Sequence, residues 1–521
     1  MRIPYLRMVP QESTKQIGAF GGINKGLVTA DHEFADMYNM SSDKFPAIAT
    51  RKPRGEVLKT LKKPHGLFYK NGLIYVDGSE VYYKDQKIAE VQDNEKIIVG
   101  IGAYVVIFPD KIMYNTSSGE LTQLEASWTQ GTSARFELTT AGSTMVKVTC
   151  TGIGKAFRQF DGVEIRGCQN DSFNGSKVIQ EISDNYIILI GSVETPFEQS
   201  SGLQIQRSVP DMDYVCESEN RLWGCSSKNH EIYASKLGDP ANWQSFEGIS
   251  TDSYAVTVGS DGDFTGCISH LGYVLFFKED TIHKVFGNKP SNYQVTTSTP
   301  MRGVAKGLES TMCIVNETLL YVSRDNICSY DGAQPDSVGD SIRDLGFREG
   351  VAGQYNGKYY ASLRDSEGTW GLYVYDLTKQ LWHKEDDLHL RDMIYGDGEL
   401  YCVEADGKLF TISGERKERI FWMLESGDLL EGTVDFKHVK RLQLHFWMAL
   451  NAEIDVKMKY EGLEDWQKIS SYRARGYQTH TVNLIPKRCQ KYRYRIEGQG
   501  EVALIAMTKK IGKGSDLHGC L

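Results

Sequence analysis

From about residue 65 the chain repeats one arrangement of apolar and polar positions. An apolar or aromatic run is followed by a turn built on Gly, Asn or Asp, and then by a second run. "HGLFYKNGLIYVDGSEVYYKDQKIAEV" (65–91) reads as strand, Asn71-Gly72 turn, strand, Asp77-Gly78 turn, strand, because Asn-Gly and Asp-Gly accept the positive φ angles of tight hairpins. The inner strand of the unit returns as "AYVVIFPD" after Gly102, "NRLWGCSS" from Asn220, "GYVLFFKED" from Gly272 and "ETLLYVSRD" from Glu317. It returns twice more, as "GKYYASLRD" from Gly357 and "GELYCVEADG" from Gly398. From Gly272 onward the starts lie 45, 40 and 41 residues apart. That period, with two or more hairpin strands per unit, predicts an all-β β-propeller of six or seven blades, in which each blade buries its faces only against its neighbours.

Two stretches leave the rhythm. Between the units at Gly102 and Asn220 an excess of about 85 residues alternates apolar and polar positions, as in "SARFELTTAGSTMVKVTC" and "NYIILIG". It predicts a small β-barrel or sandwich inserted through a propeller loop. After Gly414 longer alternating runs ("RLQLHFWMAL", "AEIDVKMKYEG", "YQTHTVNLI", "YRYRIEG", "EVALIAMTKK") predict a C-terminal β-sandwich, jelly-roll-like, ending in a flexible tail, "GKGSDLHGCL". Residues before 60 show no sustained period and read as an extended arm, with a short helical candidate at "DHEFADMYNM". The expected organisation is therefore an arm over 1–60, a propeller over 61–125 and 211–414, an inserted domain over 126–210 and a sandwich over 415–521.

Composition sharpens this picture without changing it. The 28 Tyr, 20 Phe and 51 Gly in 521 residues favour strands and turns. The net charge of −9 conceals an asymmetry: 437–513 carries 16 Lys+Arg against 7 Asp+Glu, so the remainder is strongly acidic, a polarity suited to assembly between unlike surfaces. Ten cysteines include no CxxC pair and mostly sit in apolar runs, as reduced buried thiols do. No 18-residue apolar span and no apolar leader segment is present, so neither a membrane span nor a secretion signal is expected.

The densest catalytic candidate is "NRLWGCSSKNHEIYASKLGDPANW" (220–243), where Cys225, His230, Glu231 and Asp239 could supply nucleophile, base and acid. Yet Leu222 and Trp223 fall at the repeat position of Leu320 and Tyr321, or Leu400 and Tyr401, and Ile232 and Tyr233 at that of Leu409 and Phe410, which favours blade packing. "GSDGDFTG" (Asp261, Asp263) lacks the spacing of a calcium loop. His383 and His389 flank "KEDD" without a third zinc ligand. "RDSEGTW" (Asp365 to Trp370) misses a sialidase Asp-box by one residue, and Asp386 and Asp387 read as solvated loop charges. Arg473 and Arg475, with Trp466, Tyr472 and Tyr477, fit either phosphate and base contacts or an ordinary strand pair, and the latter is favoured. No catalytic, metal or cofactor site is expected.

Taken together, "NRLWGCSSKNHEIYASKLGDPANWQSF" and "GDFTGCISHLGYVLFFKEDTIHKVFGNKPSNY" resemble a run common in tail-associated proteins of tailed bacteriophages, the stabilisation or nozzle proteins. There "N-R-[LV]-W-G" precedes "I-Y-A-S" and "G-D-P-x-N-W". The segment "FGGINKG…FADMYNMSSDKFPAIATRKPRG" is similar to the start of the same group, and "TCTGIGKAF…VEIRGC…FNGSKVIQEI" fits it too. The likeness is weaker over the sandwich. The resemblance implies a non-enzymatic virion structural protein of a short-tailed phage, assembled in the bacterial host cytoplasm. It would form a ring homo-oligomer, usually a hexamer, below the portal and adaptor proteins and carry tail fibres or a needle. Double-stranded DNA would pass through it without sequence specificity. A glycan-binding or glycan-degrading propeller is the alternative from another class.

Overall fold

The computed structural model describes residues 12–299, 301–415 and 419–513. The first eleven positions and the tail from residue 514, Cys520 included, lie outside the described residues. Among the described residues there is no α-helix, only strands and four single 3-10 turns, and no helix long and apolar enough to cross a membrane. The chain divides into two compact units, one of residues 61–309 and 331–335, the other of 1–60, 310–330 and 336–521.

The unit of 61–309 contains four antiparallel sheets of four strands, each in simple chain order. The first runs from Pro64–Tyr69 to Gln86–Glu90, the second from Ile97–Ile101 to Leu121–Gln123. The third runs from Tyr214–Ser218 to Tyr254–Thr257, and the fourth from Gly266–His270 to Gln294–Ser298. Side-chain alternation gives each middle sheet two apolar faces. In the second sheet Val105 and Ile107 pack against Ile74, Val76 and Val81 of the first, while Val106 packs with Leu222 and Tyr233 of the third. Trp223, Cys225 and Ile232 then point the other way, onto Val274, Phe276 and Val285 of the fourth. Each such side chain contributes about 1.5–3 kcal/mol on burial, so a sheet flanked on both sides is held far better than one alone. This face-to-face stack is a β-propeller-like arrangement.

The runs that stood out in the sequence as inner strands are the second strands of their sheets. It is the first strands that meet one another from sheet to sheet: Pro64–Tyr69 with Ile97–Ile101, that strand with Tyr214–Ser218, and that one with Gly266–His270. The second strands lie between two neighbours and are buried on both faces, as in Arg221–Ser226. They therefore carry the most continuous apolar signal.

Between the second and third sheets, eight strands from Ala126–Thr129 to Gln204–Arg207 form one sheet. All eight supply side chains to a single core that includes Phe136, Val148, Ile165 and Leu189, so the sheet curls around its own interior. Phe136 stacks on Phe197 at 4.6 Å. Where the chain returns to the third sheet, Arg207 donates from Nη1 to Asp161 Oδ2 (2.5 Å) and from Nε to the carbonyl of Leu124 (2.9 Å).

The other unit holds three further four-stranded sheets, starting at Cys313–Val315, Glu349–Tyr355 and Leu390–Gly396. The last of these is completed by Lys59–Thr60, whose partners are Lys408 and Leu409. The same unit contains two longer sheets built around Lys437–Met448 and Glu453–Tyr460, whose alternating residues, from Leu442 to Met448 and from Ile454 to Tyr460, are buried.

The amino-terminal segment, expected as an extended arm, pairs with later strands: Glu12–Ile17 and Ile48–Thr50 with Val502–Lys513, and Asp36–Tyr38 with Phe421–Glu425. Edge strands of two to six residues need only backbone partners and leave no period to read. The helix candidate fails for a related reason. Phe34, Met37 and Met40 are spaced by three and all buried, but Met37 faces Leu424 across a strand pair and Asn39 takes a left-handed φ of 55° that breaks any helical run.

Candidate functional site

The residues of 220–243 that suggested catalysis are dispersed. Cys225 is fully buried between the third and fourth sheets. His230 sits exposed at a hairpin tip with a φ of 54°. Glu231 accepts the Tyr233 hydroxyl, and Asp239 closes its own turn by accepting the amide of Ala241 at 3.1 Å. Cys216 and Cys267 share a thiol hydrogen bond. That bond together with burial raises Cys216, and burial raises Cys267, both well above the usual thiol range, so they remain neutral. Trp223, Tyr233 and Trp243 are core residues. The tail of the motif has a task the sequence did not disclose. Asn242, fully buried, accepts the Gly162 amide at 2.7 Å and donates to the carbonyl of Phe160 at 3.0 Å, clamping the inserted sheet to the third-sheet loop.

The other sequence candidates separate in the same way. Asp261 and Asp263 are exposed, and Asp263 lies 3.6 Å from Lys306. His389 stacks on Trp370 at 3.7 Å, and burial, aided by Arg391, lowers its pKa. Asp365 caps its turn through the amides of Glu367 and Thr369. Arg473 pairs with Glu453, Trp466 lies under Arg495 at 4.6 Å, and Tyr472 stacks on His480 at 4.3 Å, while Tyr477 is 72% exposed. Among the described residues no group of three or more His, Cys, Asp or Glu is arranged to hold a metal ion.

Asp386 is the clear departure. Read as a solvated loop charge, it is buried, and Arg54 reaches it with Nη2 at 2.7 Å while Nη1 reaches Glu385 at 2.7 Å. Arg51 adds a contact to Asp386 at 3.4 Å and donates to Asn39 Oδ1 at 2.6 Å. Burial alone would raise the Glu385 carboxyl, but the Arg54 guanidinium overrides it and holds the pKa at about 2. Nearby, Ser42 donates to Asp376 at 2.8 Å, and Lys358 donates to Ser42 and to Asp43 at 2.8 and 2.6 Å. The "NMSSD" and "RKPR" phrases are thus polar anchors that fasten residues 39–54 to the sheet of 349–384 and its following loop.

A second network of charges joins Lys15 and Asp31 to Glu431 and Lys509. Lys509, with no exposed side-chain surface, contacts Glu431 at 2.6 Å and Asp31 at 3.2 Å, and Lys15 contacts the same two carboxylates at 2.8 and 3.1 Å. Tyr492 donates to Glu431 at 2.5 Å. Burial would raise Glu431, but Lys509 and Lys15 lower it overall, so it stays ionised. Replacing Glu431 with Gln is expected to cost about 1.5–3 kcal/mol, read as a lower urea midpoint, because two ammonium groups lose their strongest acceptor. The basic excess of 437–513 is in part cancelled by acids from outside it: Glu12 on Lys440 and Lys510, Glu425 on Arg493 and Arg495, and Asp428 on Lys491.

A cavity of about 380 Å³ opens beside the amino-terminal segment and is lined by Gly21, Ile23, Glu33, Asp340, Tyr375 and Trp382 among others. Gly22 lies against its wall with a φ of 81°, where an added Cβ would meet the Trp382 carbonyl oxygen at 2.1 Å, so the close approach requires glycine.

No protein-family description matches the chain, and no curated protein matches it in sequence. Among solved structures it is similar to the computationally designed Ika8 protein, with 10% identity over 70% of this chain and 100% of that one, at a TM-score of 0.35. BamB from Moraxella catarrhalis matches with 10% identity over 71% of this chain and 98% of its own, also at 0.35. An exo-beta-1,3-galactanase from Phanerochaete chrysosporium matches with 8% identity over 57% of this chain and 94% of its own, at 0.22. At these scores the three carry no argument about fold or function.

Proposed function

We propose that the chain is a non-enzymatic structural protein of a short-tailed phage virion, a subunit of the tail nozzle ring that retains packaged DNA and conducts it outward. The observation that carries the proposal is that the phrases shared with phage stabilisation and nozzle proteins are all structural. Trp223 and Tyr233 pack sheets, Asn242 clamps the inserted domain, and Arg51 and Arg54 anchor the amino-terminal segment. Four-stranded antiparallel sheets in simple chain order are the blades from which propellers are built. The acidic balance outside 437–513 favours a lumen that repels phosphate and lets DNA slide.

Electron microscopy of the purified protein tests this. A six-fold ring with an open, mainly acidic channel is expected. A stable monomer, or a channel lined mainly by Lys and Arg, would sink the nozzle reading. Release of sugars from host envelope polysaccharide would favour the glycan-active alternative instead.

A further inference from the structure

We propose that a cavity of about 250 Å³, at the seam between the inserted sheet and the loop 236–253, binds an uncharged hexose or N-acetylhexosamine ring of a glycan. One wall is a strip of the inserted sheet that faces outward. Ile179, Ile187 and Leu189 point into that sheet's own core, so strand alternation turns Val178 and Ile190 the other way. Val178 is covered there, at 6% exposed, while Ile190 at the strand end is 50% exposed. The facing wall is the loop, which brings Phe246, 52% exposed, and Glu247 to the cavity.

The loop is held in this position by the protein alone. One carboxylate oxygen of Asp252 accepts the amides of Glu247, Gly248 and Ile249 at 2.7, 2.6 and 3.0 Å. The Asn242 clamp ties the start of the loop to the Gly162 amide, and the two backbones meet so closely that a Cβ on Gly162 would lie 2.5 Å from the Gln244 carbonyl carbon. A fixed loop that keeps a phenyl ring half in water beside a cavity is the form of a preorganised binding site.

The polar groups of the cavity lack donors. Gln244 donates from Nε2 to Ser208 at 2.9 Å, but its Oε1, shielded from bulk solvent, accepts nothing among the described residues. Glu247 accepts Gln180 Nε2 at 2.5 Å and pairs with no cation among the described residues. An occupant must therefore bring hydrogen-bond donors together with an apolar surface. A cationic guest would meet Lys177, which lines the same cavity, and a phosphate would meet Glu247. A wholly apolar guest would leave the Gln244 and Glu247 oxygens unpaired. A pyranose has the required combination: hydroxyls around its rim, and on its face C–H bonds that can lie on Phe246 and Ile190. The inference rests on neither reading of the function above, because binding breaks no glycosidic bond and suits a virion protein as well as a free one.

The test is saturation-transfer NMR of the full chain with the methyl glycosides of glucose, galactose and N-acetylglucosamine. At least one is expected to receive saturation through its ring protons, with a dissociation constant in the millimolar range typical of small, open sites. Phe246→Ala should weaken that binding about tenfold, the loss expected when an aromatic contact is truncated. Ile190→Ala, on the facing wall, should weaken it as well, which keeps the test decisive if the loop rearranges. Ile249→Ala, equally exposed on the same loop but outside the cavity, should leave it unchanged. Raising the salt to about 0.5 M should change the affinity by less than about twofold, because the ligand carries no charge. Absence of saturation in all three glycosides, binding indifferent to both cavity variants, or binding lost in salt would overturn the proposal. So would preferential binding of an uncharged, blocked dipeptide.

Discussion

Replacing Arg54 with alanine is expected to destabilise the unit that contains it by about 3–5 kcal/mol, because two buried carboxylates lose their cation at once. Glu385 and Asp386 are both nearly inaccessible, and Arg54 bridges them with separate nitrogens at 2.7 Å. The charge, more than the bulk, is what matters, and pH separates the two. With Arg54 present the folded Glu385 pKa is depressed from 4.5 to about 2, so its contribution is complete above pH 4.5 and fades as pH falls towards 2. Without Arg54 burial dominates, the carboxyl takes up a proton far more readily, and the cost of burying a bare anion is avoided in acid. The stability gap between wild type and Arg54→Ala should therefore be widest at pH 7–8 and shrink markedly by pH 4, in urea unfolding followed at both pH values. An equal gap at both would mean that Arg54 acts through packing alone. Arg54→Lys should fall between, since one ammonium cannot span both partners with the guanidinium fork.

That ion pair also shows where the sequence stops being readable. The repeat was visible because a second strand such as Lys358–Arg364 is buried on both faces and must be apolar or small nearly throughout. The strands after residue 436 were visible because runs of seven to twelve residues, such as Lys437–Met448, alternate cleanly. Asp386 was not, because its partner Arg54 lies 332 positions away and a run such as "KEDD" looks the same in water or in a core. Nor were the strands Asp36–Tyr38, Met40–Ser41, Ile48–Thr50 and Lys59–Thr60, which are too short for any period and exist because other strands offer them backbone partners. The cavity lined by Glu33, Asp340, Tyr375 and Trp382 draws on three distant segments and had no local signal at all.

Within 220–243, Trp223→Ala and His230→Ala are expected to have opposite fates, and the contrast decides between architecture and catalysis. Trp223 is 3% exposed and meets Tyr293 edge-on at 5.1 Å and Tyr254 at 6.1 Å, in the core shared by the third and fourth sheets. Its removal should cost about 3–5 kcal/mol, through lost burial and the void left among side chains that cannot all collapse inward. His230 is exposed at the hairpin tip, so alanine there should change stability by less than about 0.5 kcal/mol. Thermal and urea unfolding of the two variants measures this directly. A stretch kept for chemistry would show the reverse sensitivity: His230 dispensable for folding yet required for some activity on substrate, and Trp223 tolerant of change. If Trp223→Ala were nearly silent, the sheets would not depend on the side chain that identifies the motif, and the assignment of this stretch to sheet packing would have to be abandoned.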